Sequence, residues 1–115
     1  MNVNRQPDAR VTRSVKQLLA QLPKRYRVSS TILFGSHARG DALSDSDADL
    51  AVVLAGPPGD RGDAAVDMAG IAFDVMLETD VLLDPLPLWE EEWHHPERFS
   101  NPALIAAIQR DGIAL

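Results

Sequence analysis

Two aspartates stand at the start of an apolar segment, at a spacing that could place both carboxylates on one ligand. Asp47 and Asp49 are two residues apart, and the residues from 50 to 54 are apolar. In an extended strand, residues i and i+2 face the same side, with their Cα atoms roughly 7 Å apart. Magnesium prefers oxygen ligands and is often held by one or two carboxylates together with substrate phosphates. The pair therefore predicts a site for a hard divalent cation.

A third carboxylate, Asp74, stands alone in residues 71–77, which are otherwise apolar and are predicted to form a strand. An unpaired carboxylate is costly to bury, and its pKa would rise until it became neutral. A nearby cation removes that cost. We therefore expect Asp74 to be the third metal ligand beside Asp47 and Asp49.

The alternation of residue types in these two segments indicates a sheet with two different faces. In residues 47–54, one face carries the two acids and smaller neighbours, and the other carries bulky apolar side chains. In residues 71–77, Asp74 shares its face with Ala72 and Met76. One face of the sheet would then hold metal and substrate, and the other would pack on helices.

A candidate phosphate site precedes the acids. Gly35 and Ser36 interrupt a predicted strand, and Ser36 is a suitable N-cap for a short helical turn. Glycine lets the backbone approach a ligand closely, and the start of a helix exposes N–H groups to an anion. Arg39 and Gly40 follow within a turn, and Arg39 could neutralise phosphate charge or hold the aspartate loop. Asp41 and Asp45 are expected only to form turns.

The elements that position these residues alternate between helix and strand. Apolar residues at helical spacing predict a first helix that ends before Pro23. Pro85 and Pro87 confine the last predicted strand to a sheet edge or to an irregular position. The predicted strands cover residues 28–34, 47–54, 71–77 and 81–88, and the later helices cover residues 61–69 and 102–109. This order predicts an α/β (α+β) fold with one mixed sheet and helices packed mainly on one face.

Length and composition set further limits. With 115 residues the chain is expected to form a single domain, residues 1–115. It has no cysteine, no apolar run long enough to span a bilayer and no apolar signal-peptide core, so a cytoplasmic location is expected. The net charge is −6, although residues 1–30 alone carry +6. An acidic chain is a poor non-specific binder of nucleic acid, so no strong nucleic-acid partner is predicted.

Together these motifs resemble the polymerase-β-like nucleotidyltransferase superfamily, and within it the minimal nucleotidyltransferases. That family's pattern is Gly-Ser, ten residues and then Asp-x-Asp, matched here by Gly35-Ser36 and Asp47-Ala48-Asp49. The longer forms Gly-Ser-x-Ala-Arg-Gly and Ser-Asp-x-Asp-Leu are also present. The family has a third aspartate on a later strand, a place that Asp74 would fill. One departure is His37, where arginine is common in relatives.

The resemblance implies a reaction and a set of roles. A nucleoside monophosphate, with AMP from ATP the first choice, would pass to an acceptor hydroxyl. Asp47, Asp49 and Asp74 would hold two magnesium ions, and Asp74 could also accept the proton of the hydroxyl. Gly35, Ser36, Arg39 and Gly40 would bind the nucleotide phosphates.

The acceptor has three alternatives. Small stand-alone members of the family are often antitoxins that transfer AMP to a tyrosine of a HEPN-domain toxin, and the small size of this chain favours a partner that supplies the acceptor. Larger relatives modify small molecules such as aminoglycosides. A catalytically idle module that masks a toxin by contact alone is the third alternative, against which the complete acidic motif argues.

Overall fold

The computed structural model describes residues 7–40 and 46–115, so the predicted turn acids Asp41 and Asp45 lie outside the described residues. Helices and strands alternate along most of the chain. The helices are α1 Ala9–Gln21, α2 Ser36–Arg39, α3 Arg61–Thr79, α4 Glu90–His94 and α5 Pro102–Asp111, with a 3-10 turn at Pro96–Arg98. The strands are β1 Val28–Phe34, β2 Ala48–Leu54, β3 Leu83–Trp89 and β4 Ile113–Ala114.

The four strands form one mixed sheet in the order β3-β2-β1-β4. Strand β1 is antiparallel to β2 and to β4, whereas β2 is parallel to β3. Helix α3 makes the crossover that a parallel pair requires. The strand that contains Pro85 and Pro87 lies at the sheet edge, as the sequence predicts, because an edge position tolerates residues that cannot donate a backbone hydrogen bond. The predicted α+β fold with a mixed sheet is confirmed.

The core lies on both faces of the sheet. On one face, α1 and α3 pack against the even-numbered side chains of β2, with Leu50 and Val52 fully buried. On the other, α5 packs through Ile105 and Ile108 against Ala51 and Val53. The two longest helices therefore share one face, and α5 covers part of the other. The α5 face is also the face from which Asp49 projects, because residues alternate along β2.

The predicted strand at residues 71–77 is wrong, because these residues form the second half of α3. The buried side chains of α3 recur at helical spacing, at Ala64, Met68, Ala72 and Val75. The prediction failed because the outward face of the helix is apolar as well, which removes the contrast that marks an amphipathic helix. Within residues 7–40 and 46–115, no helix combines the length and apolar character needed to cross a membrane.

Candidate active site

Gly35 brings the backbone at the end of β1 against the carboxylate of Asp49. The preceding residue, Phe34, pairs with Asp49 across the β1–β2 ladder. Gly35 has φ 72° and ψ −150°, a conformation that is essentially restricted to glycine. A Cβ at this position would overlap an Asp49 carboxylate oxygen and lie 3.4 Å from its Cγ. The glycine therefore meets two requirements, a left-handed backbone and a close approach to an acid.

Helix α2 is a single turn that begins after this glycine. The N–H groups of Ala38 and Arg39 donate to the carbonyl of Gly35, at 3.1 and 3.0 Å. Gly35 is therefore the N-cap, and Ser36, predicted as the N-cap, is the first helical residue. Gly40 ends the turn with φ 83°, and its N–H donates to the Ser36 carbonyl at 3.0 Å.

The polar groups of α2 are placed beside the acids. Helix geometry leaves the N–H groups of Ser36 and His37 without a partner inside the turn. Ser36 is half-buried, whereas Arg39 is exposed and takes part in an interaction within the chain. Gly40 has a structural reason to be glycine, since it ends the turn in the left-handed region. The nucleotide-binding roles of Gly35, Ser36, Arg39 and Gly40 stay predictions.

Asp47 and Asp49 lie where the sequence places them, at the start of β2. Asp47 immediately precedes the strand and is exposed, and Asp49 is its second residue and is half-buried. Asp49 is thus flanked by β1 on one side and β3 on the other. Of the two acids of the motif, Asp49 is therefore the more buried.

The acid that faces Asp49 is Asp84, not Asp74. In the parallel β2–β3 ladder, Asp49 pairs directly with Asp84, and the two carboxyl groups are close enough to hydrogen bond. Asp74 lies on α3 and is exposed. Since α3 packs on the opposite sheet face from Asp49, the expected grouping of Asp74 with Asp47 and Asp49 does not form. The structure places Asp84 in the position that the sequence analysis gave to Asp74.

The crowding of carboxylates affects the ionisation of Asp49. Partial burial raises the pKa of Asp49, and the nearby charges of Asp84 and Asp47 and a hydrogen bond with Asp84 raise it further. His37 acts in the opposite direction and lowers the pKa of Asp49. The three acids therefore favour either a shared proton or a bound cation.

This donor set fits a hard divalent cation in part. Oxygen ligands from Asp49, Asp84 and Asp47 are those that magnesium prefers, and a cation would relieve their mutual repulsion. However, no group of three or more ligand side chains in the described parts of the chain converges closely enough to hold a metal ion by itself. The acids would therefore share the ion with phosphate oxygens and water, which is the usual arrangement for magnesium at nucleotide sites.

His37 connects the predicted phosphate turn to the acidic strand. Its Nε2 lies 2.9 Å from the carbonyl oxygen of Ser46, the residue before Asp47. The ring N–H can donate to this carbonyl. A residue that the sequence analysis noted only as a departure from relatives thus links α2 to the segment that enters β2.

Asp84 was missed although its strand was predicted. It is the single acid between Leu83 and Pro85 in an apolar edge segment. The signal that could have found it is the same one that was applied to Asp74, an isolated carboxylate in a strand. Because residues 71–77 have the pattern of a strand, Asp74 is the isolated strand acid that lies nearer in the sequence to Asp47 and Asp49. The acid of the edge strand does not stand out beside it.

Comparisons with known proteins identify the family of the chain. The family model for the nucleotidyltransferase domain matches residues 15–100. A crystal structure from Sulfolobus solfataricus, described as that of a candidate nucleotidyltransferase, is 22% identical and has a TM-score of 0.47. It aligns over 91% of this chain and 75% of its own. No curated protein matches the chain in sequence.

Proposed function

The chain belongs to the nucleotidyltransferase domain family, and from that premise we propose that it transfers AMP from ATP to a hydroxyl group of a partner protein. The proposed acceptor is a tyrosine of a HEPN-domain toxin, which makes the chain an antitoxin. The observation that carries the proposed chemistry is the pairing of Asp49 with Asp84 next to Gly35. Because ATP is a cytoplasmic substrate, the proposed reaction takes place in the cytoplasm.

In the proposed reaction, the acceptor oxygen forms a bond to the α-phosphorus of ATP, and the bond from that phosphorus to the bridging oxygen breaks. Pyrophosphate leaves, and the hydroxyl proton passes to a carboxylate oxygen of the Asp49–Asp84 pair. Ser36 and the N–H groups at the start of α2 orient the departing phosphates. Magnesium ions, held by Asp47, Asp49 and Asp84, would supply charge neutralisation for the phosphates and the acceptor oxygen.

The exposure of two of the acids supports an acceptor that comes from another protein. Asp47 and Asp84 are both exposed, while Asp49 lies half-buried between them. The acidic group is therefore open on one side, where a tyrosine carried by a second protein could reach it. This favours a protein acceptor over a small molecule, which is usually held in a closed cleft.

The direct test is transfer of label from ATP. The purified chain is incubated with magnesium, α-labelled ATP and a HEPN-domain protein, and the label and mass gain on each protein are measured. We expect label on a tyrosine of the partner, and we expect Asp49→Asn to abolish it. Label on an aminoglycoside that is supplied in place of the HEPN protein would replace the protein acceptor with a small molecule. Neutralisation of the toxin without label by the unaltered chain, and equally by Asp49→Asn, would instead favour an idle binding module.

A matched pair of variants tests the assignment of the third acid. Asp84→Asn and Asp74→Asn make the same chemical change, one beside Asp49 and the other on the opposite face of the sheet. We expect Asp84→Asn to weaken binding of magnesium–ATP at least tenfold in isothermal titration calorimetry, and Asp74→Asn to leave it unchanged. If Asp74→Asn weakened binding and Asp84→Asn did not, the assignment drawn from the β2–β3 register would be refuted.

A further inference from the structure

The outward side of α3 exposes large apolar side chains to solvent. Val66, Phe73 and Leu77 are 73%, 54% and 68% exposed. Isolated exposed apolar residues are common on protein surfaces, but a contiguous group indicates an interaction site. These three lie on a single helix whose opposite side is already buried in the core through Met68 and Val75.

The three residues form one continuous stripe. At about 100° per residue, positions 66, 73 and 77 fall within roughly 40° of each other around the helix axis. Gly70 and Ala69, both exposed, lie beside them and add no polar group. At about 1.5 Å per residue, the stripe from Val66 to Leu77 is roughly 16 Å long, or three turns. A stripe of this kind is the face that one helix presents to another. The residues at positions 66, 69, 70, 73 and 77 are called the α3 outer face below.

One border of the α3 outer face is acidic. Asp63, Asp74 and Glu78 are exposed and lie roughly 60–120° from the centre of the stripe, all on the same side. Asp67 also lies on that side, but it is paired with Arg25 at 2.6 Å and accepts a hydrogen bond from Tyr26 at 2.5 Å. The surface therefore combines an apolar seam with negative charge along one edge.

We propose that the α3 outer face is a docking site for an amphipathic helix of a partner protein, with an apolar seam and lysine or arginine along one border. The apolar seam would cover Val66, Phe73 and Leu77, and the basic border would face Asp63, Asp74 and Glu78. Helices commonly bind in this way, through apolar anchors at i, i+3, i+4 and i+7 with charged flanks that set the orientation. A second copy of this chain fits less well, because the only basic residue of α3 is Arg61, which is paired with Glu92, so a second α3 offers no basic border to face the acids.

The docking site is separate from the acidic group around Asp49. Helix α3 packs on the sheet face opposite to Asp49, so a helix bound to the α3 outer face leaves Asp49 and Asp84 accessible. The inference goes beyond the proposed transfer reaction and does not depend on it. A catalytically inactive variant such as Asp49→Asn should still bind the partner helix.

The experiment uses two synthetic helical peptides of about 18 residues that share the same apolar seam of leucines. They differ only along one border of that seam, where one peptide carries lysines and the other carries glutamates. Binding of each labelled peptide to the full chain is measured by fluorescence anisotropy at low salt. We expect the lysine peptide to bind at least tenfold more tightly than the glutamate peptide. We expect the double variant Phe73→Gln/Leu77→Gln to lose that binding at least tenfold, while the control Leu115→Gln, which alters an exposed apolar residue elsewhere, keeps it.

A charge exchange makes the test specific to the acidic border. The variant Asp74→Lys/Glu78→Lys should reverse the preference, so that the glutamate peptide binds more tightly. Failure of the lysine peptide to bind, or binding that the Phe73→Gln/Leu77→Gln variant does not weaken, would overturn the proposal. A concentration-dependent dimer in sedimentation equilibrium that this variant abolishes would also overturn it, because the face would then belong to a second copy.

Discussion

Replacement of Gly35 by alanine tests whether the backbone at the end of β1 positions the Asp49 carboxylate. At φ 72° and ψ −150°, a non-glycine residue costs about 1–3 kcal/mol of backbone strain. With about 4 °C lost per kcal/mol for a domain of this size, the melting temperature should fall by roughly 4–12 °C. The added Cβ would also overlap the Asp49 carboxylate. The carboxylate must then move, and a displacement of about 1 Å can cost 10²-fold in activity.

The control for this variant is Gly56→Ala. Gly56 has φ 92°, and an added Cβ meets no atom within 4 Å. Alanine at position 56 is therefore strained by the positive φ as well, but its Cβ contacts no site residue. Differential scanning fluorimetry gives the melting temperatures, and isothermal titration calorimetry gives the affinity for magnesium–ATP. We expect both variants to lose stability and only Gly35→Ala to lose affinity. Equal affinities for the two variants would refute the positioning role of Gly35.

Three further predictions concern His37, Asp49 and Leu18. His37→Ala removes the hydrogen bond to the Ser46 carbonyl, so it should lower the free energy of unfolding by about 0.5–1.5 kcal/mol. It should also weaken magnesium–ATP binding in calorimetry, and an unchanged affinity would contradict the linking role of His37. The pKa of Asp49 is raised in the folded chain, so the folded state holds the Asp49 proton more tightly than the unfolded state does. The stability that this proton contributes is complete below the ordinary aspartate pKa, and it is lost as the pH rises through the raised pKa. Without magnesium, Asp49→Asn should therefore raise the melting temperature at about pH 7, with a gain that shrinks towards about pH 3; a gain that grows in acid would show that the sign is wrong. Leu18→Ala leaves a cavity at a fully buried position on α1, so it should lower the free energy of unfolding, measured in urea, by about 2–5 kcal/mol. A loss below about 1 kcal/mol would place Leu18 outside the tightly packed core.

The sequence was sufficient for the elements whose apolar pattern has a single explanation. Strand β1 was predicted with the observed bounds, because its residues are β-branched or apolar and a glycine follows them. Helix α5 and the end of α1 were predicted to within two residues, because their apolar residues recur at helical spacing. The edge position of β3 followed from Pro85 and Pro87, which cannot donate to a neighbouring strand. The closeness of Gly35 to the Asp49 carboxylate is consistent with the spacing of the motif, since an antiparallel β1–β2 pair brings the end of one strand to the start of the next.

The third acid could not be placed because α3 is apolar on two sides. Its inner side packs in the core, and Phe73 and Leu77 make its outer side apolar too. A segment that is apolar on its inner and outer sides and contains Ile, Phe and Val resembles a buried strand as closely as a helix. Because of this error the prediction named Asp74, whereas the acid that pairs with Asp49 in the structure is Asp84. The same exposed residues that misled the assignment are those for which a docking partner is proposed.

The parallel pairing of β2 with β3 has a consequence for how the protein matures. Asp49 and Asp84 lie on two strands that the whole of α3 separates in the sequence, since a parallel pair cannot close through a tight turn. Contacts of such long sequence separation are expected to form late in folding. We therefore expect the proposed magnesium–ATP site to be completed after most of the secondary structure. An incompletely folded chain would hold the motif of β2 without the acid that faces it, and would lack the proposed site until folding is finished.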